Sequence, residues 1–229
     1  MIYIGLDDTD NLESRGTGWL ARLLAQELAH DYAVAGVTRH QLLVDRRIPY
    51  TSHNSSAAIG LGESGTPELA ELFERVKLMM LADFIDGSDP GLCVADDATA
   101  VAFTDFGRRA QREVLNQGEA RGLAETQGAL LAGLGGSQDG VIGALAAVGL
   151  AACGDDGRYL LVGRSREMTG MQDIPTLLGA GISAVLTLDG QPVSEGLVLA
   201  DKLRPARRGG KPVLYVEWRA GYWLPVKLN

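Results

Sequence analysis

Asp7, Asp8 and Asp10 stand where the apolar run Ile2-Tyr3-Ile4-Gly5-Leu6 gives way to a polar loop. Three carboxylates so close repel one another, and burial would push their pKa values up. A hard divalent cation is the natural compensation, and Mg2+ commonly takes one or two carboxylates plus the phosphates of a substrate. The two-residue spacing of Asp8 and Asp10 predicts side chains on one face of extended chain. One of the three could instead serve as a general base. The same residues also fit a solvated acidic turn in which Asp10 or Asn11 caps the next helix.

Gly16-Thr17-Gly18 follows and opens a helical pattern. Small residues there leave the first N–H groups of the helix accessible, which makes a candidate seat for phosphate. They also fit ordinary helix initiation, and the spacing is neither a P-loop nor a GxGxxG. A second polar and basic stretch, Arg46 to Ser56, lies between two strand patterns. It supplies anion-binding arginine and donors, with His53, Asn54 and Ser55 as secondary contacts to the aspartate cluster; a surface hairpin loop is the plainer reading. His40, inside a strand pattern, reads as structural. Asp89-Pro90-Gly91 reads as a turn and Asp96-Asp97 as a solvated strand end. The small residues from Asp139 to Ala147 predict a closely packed helix or one with a bare N-terminus, packing being the safer reading. The basic loop from Arg204 to Lys211 fits an anion or plain solvent.

These residues need elements to hold them. Residues 2–6 read as a buried strand. Trp19, Leu20, Leu23, Leu24 and Leu28 fall on one helical face. Val37–Val44 and Ala57–Leu61 are strand-like. Thr66-Pro67-Glu68 signals a helix start, with the helix running to about Phe84, and Leu92–Ala95 is a short strand. The order β-α-β-β-α-β is the ferredoxin-like arrangement. Beyond it, Asp105 is placed to cap a short helix through Leu115, and Ala120–Leu134 and Val141–Cys153 are helix candidates. Strands then dominate: Tyr159–Val162, Ala184–Leu188, Val213–Trp218 and Trp223–Val226. The expected fold is therefore α/β (α+β), a ferredoxin-like N-terminal half, residues 1–100, packed with a mixed α/β second lobe, residues 101–229. No linker marks the boundary, so it is soft and could be discontinuous.

The chain has 229 residues, enough for one large domain or two small ones and for a substantial core. Its formal net charge of −8 argues against non-specific nucleic-acid binding, which needs clustered Lys and Arg. Cys93 and Cys153 have no CxxC or Cys/His spacing and read as small buried residues of a reducing compartment. No signal-peptide pattern opens the sequence, and no apolar run is long enough for a membrane span. A cytoplasmic protein is expected, and a homo-oligomer is compatible with it.

Several segments taken in order resemble the archaeal agmatidine synthetase family, which modifies an isoleucine tRNA. They are Ile4-Gly5-Leu6-Asp7-Asp8-Thr9-Asp10 with the Gly-rich helix start, Arg46-Arg47-Ile48-Pro49-Tyr50, Ser88-Asp89-Pro90-Gly91, Gly140 to Gly149, and Lys211 to Tyr215. The resemblance spans most of the chain and implies the kinase-like plus ferredoxin-like core, without the OB fold and zinc ribbon that grip tRNA in that family. It implies ATP and Mg2+ as cofactors, with Asp7, Asp8 and Asp10 handling metal and phosphate. It also implies chemistry in which ATP activates a carbonyl oxygen that an amine then displaces. The stretch after Ile48-Pro49 and Gly136-Ser137-Gln138-Asp139 depart from the family's more basic pattern. With the acidic charge, they point to a small-molecule acceptor rather than tRNA. The sequence thus predicts a Mg-ATP-dependent phosphotransferase or carbonyl-activating enzyme. The alternatives are a non-catalytic nucleotide- or ligand-binding module, or one subunit of a split tRNA-modifying enzyme.

Overall fold

Alternation in the first strand sets the architecture. In the computed structural model, which describes residues 1–11, 13–48, 53–62 and 67–228, Ile2, Ile4 and Leu6 join one apolar core and Tyr3 joins another. A strand points successive side chains to opposite faces, so a strand with two apolar faces must be covered on both.

In chain order the elements are β1 (Ile2–Asp7), α1 (Thr17–Leu28), β2 (Val34–Gln41), β3 (Ser55–Leu61), α2 (Leu69–Ala82), β4 (Gly91–Asp96), α3 (Asp97–Val101), α4 (Thr104–Ala110) and α5 (Gln117–Gln127). Then follow β5 (Leu130–Gly133), α6 (Gly140–Cys153), β6 (Arg158–Leu161), β7 (Met171–Asp173), α7 (Ile174–Gly179), β8 (Ala184–Thr187), β9 (Leu197–Leu199), β10 (Ala206–Arg208), β11 (Lys211–Arg219) and β12 (Tyr222–Val226). The first four strands lie in the order β4-β1-β3-β2, each antiparallel to its neighbours. This is the ferredoxin-like arrangement. The apolar residues of α1 and α2 share a core with Ile2, Ile4, Leu6, Ile59 and Val94. The opposite face carries Tyr3, Ala58, Cys93 and Ala95 against α6, with α3, α4 and α5 around it.

The remaining strands extend the same sheet. β5 adds to the β4 edge, and β6 pairs with β2 on one side and β10 on the other. From there the order runs β10-β11-β12-β9-β7, with β8 parallel to β11, over a third core built on Ile174, Leu177, Val185 and Leu214.

Helix α6 lies unusually close to the sheet. A Cβ on Gly5 would come within 2.0 Å of the Ala144 carbonyl oxygen, and one on Gly91 equally close to that of Gly140. The small residues of Gly140–Ala147 are therefore a packing requirement. The far end of α6 is held by Arg207, which donates from Nε to the Ala151 carbonyl at 3.0 Å and from Nη1 to Tyr159 Oη at 2.7 Å. The stretch read as a basic loop is thus partly β10, and its most buried arginine caps a helix rather than facing solvent.

Other expectations are corrected. The helix predicted over Ala120–Leu134 ends at Gln127, where Gly128 adopts φ +74°, and Leu130–Gly133 pairs with β4 as an edge strand. Asp105 lies inside the first turn of α4 instead of capping it. Helix α2 begins at Leu69, after Pro67, with Glu68 at its N-cap; Thr66 lies outside the described residues, as do Pro49 to Ser52. Among the described residues no helix is long and apolar enough to cross a membrane.

Candidate functional site

Antiparallel pairing brings three chain segments to one end of the sheet. Asp7, the last residue of β1, is in register with Gly91 at the start of β4, and Leu6 with Ala57 near the start of β3. The β1–α1 loop, the β2–β3 loop and the turn before β4 therefore meet there. The N-termini of α5 and α6 complete the ring around a cavity of about 510 Å³.

Asp7, Asp8, Asp10, Thr17, His53, Asn54 and Ser55 all line this cavity. Gly16 and Gly18 do not; they line an adjoining cleft of about 230 Å³. Thr17 donates through Oγ1 to Asp10 Oδ1 at 3.1 Å and accepts from the buried Thr9 hydroxyl at 3.1 Å, which ties the acidic loop to the first turn of α1. Asn54 closes the base of its loop by donating from Nδ2 to the Leu43 carbonyl at 2.6 Å. Arg47 also lines the cavity, and its guanidinium donates two hydrogen bonds to Asp45, at 2.8 and 2.9 Å, beside a third from its backbone N–H at 3.0 Å.

The conformation of the acidic loop differs from the extended chain that its spacing predicts. Asp8 has φ +51°, a left-handed turn that non-glycine residues adopt uncommonly. Asp8 and Asp10 nonetheless line the same cavity. The Asp8 carbonyl accepts the Asp89 N–H at 3.1 Å, and the Asp89 carbonyl accepts the Gly140 N–H at 3.1 Å. One chain of backbone bonds thus links β1, the turn before β4 and α6.

Two more carboxylates enter by this route. Burial first, then the charges of Asp89, Asp10 and Asp139, push Asp8 up to about 6. Asp7 is pushed up to about 8, by burial and by the charges of Asp8 and Asp10, against an opposing hydrogen bond from the Asp8 backbone. Its carboxylate stands over Gly143, where a Cβ would collide with Oδ2. Asp89 accepts the Ser137 N–H, and Asp139 accepts from Gln117 Nε2 at 2.7 Å. Sequence reasoning took Asp89 for a turn residue and Asp139 for the start of a packed helix. The turn and packing readings hold; Asp139 also lines the cavity and the charge of Asp89 acts on Asp8, which only their adjacency in the fold reveals. His40 is structural, as read: fully buried, it sits 2.7 Å from Asp156 Oδ1 and 2.9 Å from Thr38 Oγ1. Cys93 is buried and both cysteines are free.

The donor chemistry suits a hard cation, since Asp7, Asp8, Asp10 and Asp139 line one cavity and the first two have raised pKa values. Among the described residues no three acidic or imidazole side chains converge into a closed metal cluster. A cation held here by only one or two carboxylates would need its other ligands from a substrate.

No family model matches the sequence. A search of characterised proteins finds the tRNA(Ile2) 2-agmatinylcytidine synthetase of Cenarchaeum symbiosum (strain A), 26% identical over 169 residues, 74% of this chain and 37% of the relative. Among solved structures, a tRNA fluorescent labeling enzyme superposes with a TM-score of 0.58 at 27% identity, covering 65% of this chain and 35% of that one. The complex of TiaS with tRNA(Ile2) and ATP gives 0.57 at 27% identity, covering 65% and 36%. The chain thus matches little more than a third of these relatives' length. Over that shared part, in sequence and in fold, it resembles the agmatidine synthetases that act on an isoleucine tRNA.

Proposed function

We propose that this protein is a Mg-ATP-dependent enzyme that activates a carbonyl oxygen for displacement by an amine. The observation that carries the reading is the set of Asp7, Asp8, Asp10 and Asp139 lining a cavity of about 510 Å³, with Asp7 pushed up to about 8 and so largely protonated at neutral pH, and Asp8 pushed up to about 6. Uncompensated carboxylates in a buried site are unfavourable for stability. Their persistence beside polar donors suits a site completed by a cation and a phosphate.

Asp8 and Asp10 would hold Mg2+ with the phosphates of ATP, and Asp7 would support them. Mg2+, when bound, would neutralise phosphate charge, which is most of what phosphoryl transfer asks of a site. Thr17 and the first turn of α1 would seat phosphate oxygens, and His53 and Ser55 would donate hydrogen bonds across the cavity. Leu42, Ile48 and Leu115 give the same cavity an apolar wall for a planar base.

The acceptor read from the sequence alone was a small molecule. Related structures hold tRNA with ATP, and tRNA with an ATP analogue and agmatine. They favour a nucleobase carbonyl as acceptor and an amine as the second reactant. The test is a phosphate-release assay with ATP, a cytidine-containing RNA and agmatine. Turnover that requires all three supports the reading. Turnover with a small carbonyl compound alone would restore the small-acceptor alternative, and ATP bound without turnover under any pairing would favour a non-catalytic module.

A further inference from the structure

The two ends of the sheet are finished differently. β7 closes one end with Met171-Gln172-Asp173, whose last residue is an exposed carboxylate. β5 closes the other with Leu130-Leu131-Ala132-Gly133, which carries no charge, proline or bulge. Those are devices that keep an open strand edge from pairing with another chain. The ladder shows which backbone groups are open. The Leu134 N–H donates to the Pro90 carbonyl at 2.7 Å, and Gly133 is in register with Gly91. Hydrogen-bonded pairs alternate along an antiparallel ladder. Ala132 and Leu130 therefore also bond to β4, while Leu131 and Gly133 turn their N–H and C=O groups outward. Among the described residues no backbone bond from a turn, loop or cap reaches these outward groups.

The helix above this edge is apolar on the side that flanks it. Arg75 of α2 pairs with Asp31 at 2.8 Å and lies over the Tyr32 ring, which turns that side of the helix towards the end of α1. At the helical repeat, Leu81 and Phe84 fall on the side away from α1. Phe84 rests on Gly135, just beyond β5, where a Cβ would come within 2.5 Å of its ring. Leu130, Ala132 and Leu134 pack against the core beneath α2. Leu78, Leu81 and Phe84 nevertheless stay exposed, Leu78 at 65%. An unpaired strand edge and an apolar helix flank thus lie side by side, and covering such a flank is favourable.

We propose that this edge is an interface with a second copy of the chain, joined antiparallel through β5 about a twofold axis at Ala132. Leu131 of each copy then exchanges hydrogen bonds with Gly133 of the other, and every outward group of the two strands is used. A twofold axis normal to the sheet keeps α2 on the same face in both copies and sets the two helices side by side. Leu78, Leu81 and Phe84 then cover their own counterparts. This self-complementarity is what a twofold interface requires, and it favours a second copy over an unlike strand: the edge pairs with itself in one register, and β5 offers no charged side chain for a different partner to recognise. None of these residues lines the acidic cavity, so the interface stands or falls apart from the proposed reaction.

The test is sedimentation velocity of the full chain over a wide range of concentration, on the parent and on Leu78→Lys/Leu81→Lys. The parent is expected to reach twice the mass of one chain as concentration rises. In the variant the dissociation constant should rise about a hundredfold or more, because each copy loses two apolar contacts and gains two like charges. Both side chains are exposed, so the variant should keep its fold. Ala132→Cys reads the same interface if it does not. Opposed residues at a non-hydrogen-bonded antiparallel site have Cα atoms about 4.5 Å apart, within reach of a disulfide. Under mild oxidation Ala132→Cys should run as a covalent dimer on a non-reducing gel. The parent, whose Cys93 is buried and Cys153 partly so, should not, and nor should Leu188→Cys, exposed beside β8. A parent that stays monomeric at every concentration would overturn the proposal. So would a dimer that the lysines leave equally tight, or one that Ala132→Cys does not trap.

Discussion

At the scale of single residues the account turns on Asp7 and Asp8. Asp7 has its folded pKa raised from 3.8 to about 8, so the folded state binds this proton more tightly than the unfolded chain does. Its contribution to stability is therefore fully present below about pH 4 and is lost as pH rises through about 8. In the presence of a chelator, the melting temperature of the parent should fall between pH 6 and 9 more than that of Asp7→Asn, whose side chain carries no proton to lose. Parallel curves for the two proteins would contradict the assigned environment. Gly143→Ala tests the same contact from the other side. Its methyl group must displace the Asp7 carboxylate, and overpacking of this kind costs about 1–3 kcal/mol. Chemical denaturation should show that loss, accompanied by weaker Mg-dependent binding of ATP.

At the scale of elements, α6 is the part that carries the site, since its N-terminus meets the acidic loop and its body covers the sheet. Arg207 fixes the opposite end through the Ala151 carbonyl. Arg207→Met keeps most of the apolar volume but removes the cap, and a cation at a helix C-terminus is worth up to about 2 kcal/mol in a partly buried setting. A loss of that size in a urea titration is expected; an unchanged midpoint would show that α6 does not depend on this arginine. The elements themselves were largely legible in the sequence. The apolar pattern of residues 2–6 and the helical face through Leu28 announce β1 and α1, and the ferredoxin-like order follows from the spacing of the next four segments. Leu130–Gly133 was not legible, because its apolar run continues a helical pattern and only its pairing with β4 makes it a strand. The short strands β7 and β9 likewise owe their form to each other and carry no strong local signal.

At the scale of the whole molecule, an acidic chain of net charge −8 sets its acidic cavity beside a cleft that carries Arg22 and Arg39. Composition averages these away, which is why the overall charge pointed from RNA towards a small acceptor. Asp7, Asp8 and Asp10 announced themselves by adjacency in sequence. Asp89 and Asp139 reach them only through the sheet, across separations that no local pattern records. The account's central claim is that the acidic cavity is a Mg-dependent nucleotide site. Calorimetric titration of ATP, with and without Mg2+, into the parent and Asp8→Ala tests it most directly. The prediction is binding that needs Mg2+ and weakens at least about tenfold in Asp8→Ala, in line with the loss of a charge-assisted metal contact. No binding by the parent, or equal binding by parent and variant, would contradict it.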